Sequence, residues 1–360
     1  MESHLLTKEQ QELHQILQDF FTREIGSEYL RKRVRDKQAV DLALWGKFAE
    51  LDLFQFFGGE GSLGSEGADG AFRDLALIAF EGGRVLNPEN LSEALLAGPF
   101  LGRYLNCEKF QPFRSGDERL CVAHGDPTVV HIDPNNCVSG SVPFVNGVAS
   151  SSAVLLHLPV ETEIPRATER LLLVSLNAGG LITELEESLD LTQASHQLTF
   201  ASTAAMELSL AARAPAFSRM LALLKAAELC GIGERVVQMT AEYVKTRQQF
   251  GVPVGGFQAV QHQLADMYAH VAAAKALVIF AAWAIDVSPD QAALASRSAI
   301  TYACEVLPPA VERAIQLHGG MGFTWEYDLH LFLRRAKRIE ALWASEEAEF
   351  DDLLRLAAQA

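Results

Sequence analysis

The sequence is poor in cations, poor in cysteine and free of long apolar runs, and each shortage removes a class of function. Lys and Arg number 30 against 46 Asp and Glu, a formal charge of −16 with a pI near 5.1. A nucleic-acid ligand needs a basic face that releases counterions, so none is expected. Cys107, Cys121, Cys137, Cys230 and Cys304 are odd in number, scattered and never spaced as C-x-x-C. Neither a disulfide framework nor a zinc site follows, and a reducing cytoplasm is the expected location. The longest apolar run, 276–285, is about half of a ~20-residue membrane span. The start, Met1 to Lys8, has no basic stretch leading into an apolar one, so neither a signal peptide nor a membrane span is expected. Internal repeats and low-complexity tracts are lacking. His262 and His270 do not have the i,i+4 spacing of a helical zinc pair and read as surface or interface residues. Ser150, Ser151 and Ser152 sit in no G-x-S-x-G context, which argues against a hydrolase.

What is present is a chain of 360 residues, 49% of them hydrophobic, enough to bury a large core. Three segments follow one another. In residues 1–112 the pattern is helical: Leu13, Ile16, Leu17 and Phe20 recur at spacings of three and four, and further helices are predicted over about 41–51, 70–84 and 90–104. Gly58, Gly59, Gly61, Gly64 and Gly67 crowd a polar stretch that reads as a connector, because no strand precedes it as a phosphate cradle would require. In 113–212 the period changes to short β-branched runs at 128–132, 153–158, 171–175 and 197–200, a small and shortened β domain. In 213–360 the helices return and are long. Phe257, Val260, Leu264, Met267, Val271 and Ala274 form one apolar stripe suited to a four-helix bundle. Ser288, Pro289 and Asp290 mark a helix start, and Pro308 and Pro309 are expected to kink or divide that helix.

Two stretches of the third segment carry chemistry. In the first, Arg247, Phe250 and Gly251 end a helix, and Gln258 with Ala259 opens the next. In the second, Gln316-Leu317-His318-Gly319-Gly320-Met321-Gly322-Phe323-Thr324 runs from a helix end into a glycine turn. Arg247 offers a permanent charge and several donors for a phosphate, Gly319 and Gly320 let a backbone approach closely, and Phe250 can pack on a flat ring. Together these stretches resemble the R-x-x-F-G…Q and Q-x-x-G-G-x-G-(F/Y)-T signatures of acyl-CoA dehydrogenases. The run around Trp45, Ala49, Glu50, Leu51 and Leu53 resembles that family's first domain. The resemblance implies an α+β chain: an N-terminal helical domain, a central small β domain and a C-terminal four-helix bundle. It also implies FAD, with Arg247, Phe250, Gly251, Gln258, Gln316, Gly319 and Gly320 holding the adenosine and pyrophosphate of a flavin bound by the neighbouring subunit.

The same resemblance exposes departures. The family's catalytic glutamate removes the α-proton of an acyl-CoA; an ungapped count from Gly320 places Trp343 there, and a count from Gly251 to the family's alternative position places Leu221. Neither side chain accepts a proton. The family's G-S-D flavin loop is missing, since Val122 to Pro127 leads almost at once into a strand, and Phe144 replaces the tryptophan that lies against the flavin. No catalytic residue is therefore assigned on this chain. The expected role is the partner subunit of a heteromeric acyl-CoA dehydrogenase, an α2β2 assembly with a catalytic paralogue. Its substrate would be an acyl-CoA, and electron-transfer flavoprotein would take up the electrons. The run from Thr324 through Trp325, Glu326, Tyr327 and Asp328 to Arg335 and Ala336 is similar to one in the subgroup that degrades steroid side chains. Rival readings are a homomeric dehydrogenase whose base has moved to Glu340, Glu346 or Glu347, a flavin monooxygenase, and a non-enzymatic assembly or regulatory paralogue.

Overall fold

The computed structural model describes residues 6–37, 40–58, 71–105, 107–160, 168–210 and 216–343. Its first part is built from helices α1 (Lys8–Glu24), α2 (Ser27–Asp36), α3 (Leu42–Ala49), α4 (Leu53–Gly58), α5 (Ala71–Arg84), α6 (Leu91–Leu95) and α7 (Gln111–Ser115). Local chemistry sets the starts: Thr7 and Gln10 cap α1 reciprocally, and Asp41 accepts from the amides of Ala43 and Leu44 at α3. The predicted helix over 90–104 is interrupted. After α6 the chain takes a π turn, Leu96–Phe100, around Pro99, which has no N–H to continue an α-helix. Gly59, Gly61, Gly64 and Gly67 of the predicted connector lie outside the described residues, and Gly58 closes α4. Phe20, Phe21, Trp45 and Phe48 make one aromatic cluster. Buried Glu89 fastens it by accepting from Trp45 Nε1 at 2.9 Å and Arg33 Nη1 at 2.6 Å.

Two four-stranded sheets follow. The first has the order β1 (Leu120–His124), β4 (Ala153–Val160), β5 (Thr168–Ser175), β8 (Met206–Glu207), and the second β2 (His131–Ile132), β3 (Cys137–Asn146), β7 (Ser195–Ala204), β6 (Leu181–Glu186). β1 and β4 pair in parallel and the other pairs are antiparallel. Strands β1 and β4 read as unbroken apolar runs because both their faces are covered: Cys121, Ala123, Val154 and Leu156 enter the core between the sheets, while Leu120, Val122, Ala153 and Leu155 join the core shared with the helices. The strand predicted over 128–132 is corrected to His131–Ile132, since Asp126 accepts from the amide and hydroxyl of Thr128 and turns the chain there.

The last part is the bundle, α8 (Phe217–Thr246), α9 (Gln258–Val287), α10 (Pro289–His318) and α11 (Leu329–Trp343). Gly233 lies against Val271 and Leu307, Gly255 against Val244, and Tyr243 against His318. Thus α9 runs antiparallel to α8, and α10 runs parallel to it. Gly231 of α8 and Gly83 of α5 bring these two helices backbone to backbone, since a Cβ at Gly231 would overlap the Phe80 carbonyl oxygen and one at Gly83 that of Glu228. Helix α10 is not divided at Pro308 and Pro309; its buried face of Ala303, Leu307, Ala310, Val311 and Ala314 continues through them and offsets a cost of about 3 kcal/mol. The α9 stripe is buried only from Met267 onward, and Phe257 at its start is exposed. By length and composition α9 could cross a membrane, but Met267, Val271, Ala274 and Val278 belong to the bundle core.

Candidate functional site

The residues expected to hold a nucleotide collect at one end of the bundle. Helix α8 stops at Thr246, and the chain then makes a hairpin of β9 (Gln248–Gln249) and β10 (Val252–Pro253). Phe250 and Gly251 are therefore the two turn residues of that hairpin and do not end the helix; both take positive φ, 54° and 81°, as a tight two-residue turn demands. Phe250 is 92% exposed. Gln258 opens α9, and Gln316 precedes the turn after α10. The two motifs meet where the Tyr243 ring stacks on His318 at 4.3 Å and its hydroxyl donates to the His318 carbonyl at 3.2 Å. Arg247, Gly251, Gln258, Gln316, Gly319 and Gly320 are all exposed here. Gly319 needs its glycine for a φ of 59°, but Gly320 has an ordinary φ and open space where a Cβ would stand, so packing within this chain gives it no reason to be glycine. His318 Nε2 is buried without a hydrogen-bond partner among the described residues. An open backbone, a free guanidinium-bearing side chain and an orphaned imidazole nitrogen suit the phosphate-bearing end of a dinucleotide.

A cavity of about 120 Å³ lies between the sheets and the bundle. Helix α8 contributes Leu221, Lys225 and Glu228, one face at spacings of four and three, and α11 contributes Arg335, Arg338, Ile339, Leu342 and Trp343. Leu221 and Trp343, the two positions from which a base was expected to be lost, thus open into the same space. Glu340 is held by Lys337 at 2.9 Å and does not line the cavity, and Glu346 and Glu347 lie outside the described residues. Much of the space is taken by ion pairs. Arg335 binds Glu228 at 2.6 Å, Thr192 Oγ1 at 2.5 Å and the carboxylate of Asp190; Lys225 binds Glu93 at 2.5 Å and Glu228 at 3.1 Å. Burial alone would raise the Glu228 pKa, but Lys225 and Arg335 hold it down at about 2. The Lys225 ammonium is likewise held above its ordinary value, its burial outweighed by Glu228 and Glu93. Ligand pockets usually enclose about 300–1,000 Å³. With these residues filling it, the cavity is smaller than that range, and it opens to solvent on one side.

On the sheet side three strands aim polar groups toward the same helices. Alternation places His124 on the helix-facing side with Leu120 and Val122, the parallel register sets His157 beside it, and Glu169 shares the face of Leu171. His157 Nε2 meets Glu169 at 3.0 Å, and its Nδ1 meets His124 Nδ1 at 2.8 Å. Glu169 also accepts from the first amides of α8, Phe217 and Ser218, and its pKa is lowered: burial opposes the charge, but His157 and these amides overcome it. One arrangement that satisfies these contacts has Glu169 accepting from His157 Nε2–H and His157 Nδ1 accepting from His124 Nδ1–H, with His124 Nε2 then an acceptor. His124 lines the cavity near Trp343 at 5.7 Å between ring centres, and burial and the neighbouring His157 keep it below the usual imidazole range.

The sequence reading missed this ion network and the histidine pair. One signal was present: Arg335 falls in register with the apolar residues Leu331, Phe332, Ala336 and Ile339, so the helix period puts a guanidinium on the buried stripe.

Comparison with known proteins matches residues 209–347 to the family model described as acyl-CoA dehydrogenase, C-terminal domain. Acyl-CoA dehydrogenase IpdE2 of Mycobacterium tuberculosis is 46% identical over 122 residues, 34% of this chain and 36% of that protein. Acyl-CoA dehydrogenase FadE34 of the same organism is 31% identical over 281 residues, 76% of this chain and 36% of that protein. The chain thus spans about a third of the length of these curated relatives. Among solved structures, the Tcur3481–Tcur3483 steroid ACAD G363A variant superposes with a TM-score of 0.82 at 26% identity, over 98% of each chain. The ChsE4–ChsE5 complex from Mycobacterium tuberculosis shares the fold, with a TM-score of 0.83 at 23% identity over 99% of each chain.

Proposed function

The chain belongs to the acyl-CoA dehydrogenase family, and from that premise we propose that it is the non-catalytic subunit of a heteromeric, FAD-dependent acyl-CoA dehydrogenase. It works beside a catalytic paralogue in an α2β2 assembly in the cytoplasm, on an acyl-CoA thioester, with electron-transfer flavoprotein as the acceptor. The observation that carries this reading is the contrast between its two sites. Trp343 and Leu221, at the positions where the resemblance puts a base, line a cavity filled by the ion pairs of Arg335 and Lys225, yet Arg247, Gln316, Gly319 and Gly320 are exposed at the far end of the bundle. FAD, when bound, supplies the acceptor for the substrate's β-hydrogen. Arg247 would hold the pyrophosphate of the paralogue's FAD, Gly319 and Gly320 would bring backbone amides close to it, and Phe250 and Gln316 would cover the adenosine. The names of the Tcur3481–Tcur3483 and ChsE4–ChsE5 assemblies, each of two different chains, agree with a two-chain enzyme, and the first, a steroid ACAD, agrees with a steroid-derived acyl group.

The test is the flavin-to-protein ratio of the chain purified alone and together with a catalytic paralogue. Colourless protein alone and yellow, active protein together are expected. Arg247→Ala in the assembly should weaken flavin retention by about tenfold or more, as expected on losing a charge-assisted hydrogen bond; unchanged retention in both Arg247→Ala and Gln316→Ala would remove the trans assignment. A homomeric enzyme with a relocated base has one observation in its favour, the imidazole of His124 lining the cavity beside Trp343. Yellow, active protein from this chain alone would establish that second reading.

A further inference from the structure

The cavity, as its ion pairs leave it, has room for a small molecule. Its lining carries three cations, Lys225, Arg335 and Arg338, against two carboxylates, Glu93 and Glu228. Both carboxylates are engaged, Glu93 by Lys225 and Glu228 by Lys225 and Arg335, and Asp190 behind the wall is engaged by Arg335 as well. Arg338 forms no ion pair among the described residues. It is 8% exposed, and its Nε has no acceptor. Its orientation is nonetheless fixed, because Nη2 donates to the Phe144 carbonyl at 2.8 Å and to Asn146 Oδ1 at 3.0 Å, and Asn146 is itself held by Gln193 at 2.7 Å. A buried, positioned guanidinium with unused donors is costly unless an acceptor arrives. The lining also carries apolar side chains: Val122, Phe144, Leu221, Ile339, Leu342 and Trp343.

We propose that this cavity is a binding site for a small free monocarboxylic acid, its carboxylate on Arg338 and its hydrocarbon body against Trp343, Leu221 and Phe144. A carboxylate matches the planar donors of a guanidinium better than a spherical anion does, and the apolar wall selects for a body that inorganic anions lack. The volume of about 120 Å³ limits the ligand to on the order of ten non-hydrogen atoms, taking roughly 10–15 Å³ for each water-sized group. A short fatty acid or benzoate is within this limit, and an acyl-CoA or a steroid is not. The proposal rests on the previous reading only in that the cavity is free of flavin. Flavin bound by the chain alone would undo that reading, whereas a flavin-free chain that ignores acids would undo this one.

The experiment is calorimetric titration of the full chain, as purified, with butyrate, hexanoate, decanoate, benzoate and inorganic phosphate. Hexanoate and benzoate should bind, decanoate and phosphate should not, and Arg338→Gln should weaken binding by about tenfold or more. Trp343→Ala enlarges the cavity and should extend binding to decanoate, a gain that misfolding could not imitate. Cooperative unfolding of Arg338→Gln checks that its loss is local. Absence of heat with every acid, equal affinity in Arg338→Gln, or phosphate binding as tightly as hexanoate would each overturn the proposal. So would acid binding seen only after Glu346→Gln and Glu347→Gln, because the occupant would then be the chain's own carboxylate.

Discussion

Helix α8 joins two regions that obey opposite rules. At its first half, Lys225 and Glu228 are buried, every described carboxylate of the cavity wall has a cation, and room is scarce. At its far end the Arg247 hairpin, Gln316 and the Gly319–Gly320 turn stand in the open, with a glycine that nothing inside the chain requires. The first region is complete in itself and the second is not. One region has its buried charges paired within the chain, while the other leaves its polar groups and glycines at the surface.

The contrast can be broken from the closed side first. Replacing Arg335 with Met strands Asp190 in the interior and leaves Glu228 with Lys225 alone, and a loss of about 3–5 kcal/mol in stability is expected from urea unfolding. A loss under about 1 kcal/mol would mean that the network is wetter than it looks. Two glycine substitutions sharpen the comparison next. Gly231→Ala drives a methyl group into the Phe80 carbonyl and should cost about 1–3 kcal/mol, whereas Gly320→Ala meets nothing and should stay within about 0.5 kcal/mol in thermal unfolding of the isolated chain. Gly320→Ala should instead show itself only in flavin retention by the assembly.

A change of pH probes the buried charges without any substitution. Glu228 has its folded pKa depressed to about 2 from an ordinary 4.5, so the folded state binds fewer protons there; its contribution is complete above pH 4.5 and is lost as pH falls toward 2. Asp286 has the opposite sign. Burial pushes it up to about 7 from 3.8, against the amides of Phe72 and Arg73 and the charge of Arg73, so its contribution is complete below pH 3.8 and is lost as pH rises through 7. Stability should therefore rise slightly on acidifying from pH 7 to about 4.5 and fall below that. Asp286→Asn should flatten the upper slope, and an unchanged slope between pH 4.5 and 7 would discount Asp286 as its source.

Much of this molecule was legible before its coordinates. The order of helical, β and helical segments followed from apolar spacing, and the glycine turn after Gln316 from its composition. Leu221 and Trp343 were singled out by the resemblance, as the positions where the family's base would fall, and the fold places both on one cavity. What was not legible depended on contacts distant in sequence. Arg335 and Asp190 are 145 residues apart, and charges on a helix read as solvated until the partner is known. Phe250 gave no hint of a positive φ, because a helix end and a hairpin turn share the same composition. Pro308 and Pro309 promised a break that packing on both sides of α10 prevented.

Glu169 grips the first amides of α8, and that helix then runs without interruption for 30 residues. At 1.5 Å per residue it is a strut about 45 Å long, pinned to a sheet at one end and carrying the Arg247 hairpin on its tip. Packed along its length against α5, α9 and α10, the strut ties the charges buried near its root and the hairpin on its tip into one element. The interior salt lattice is in that sense a mounting bracket: its residues touch no nucleotide, yet they hold the aim of those that would.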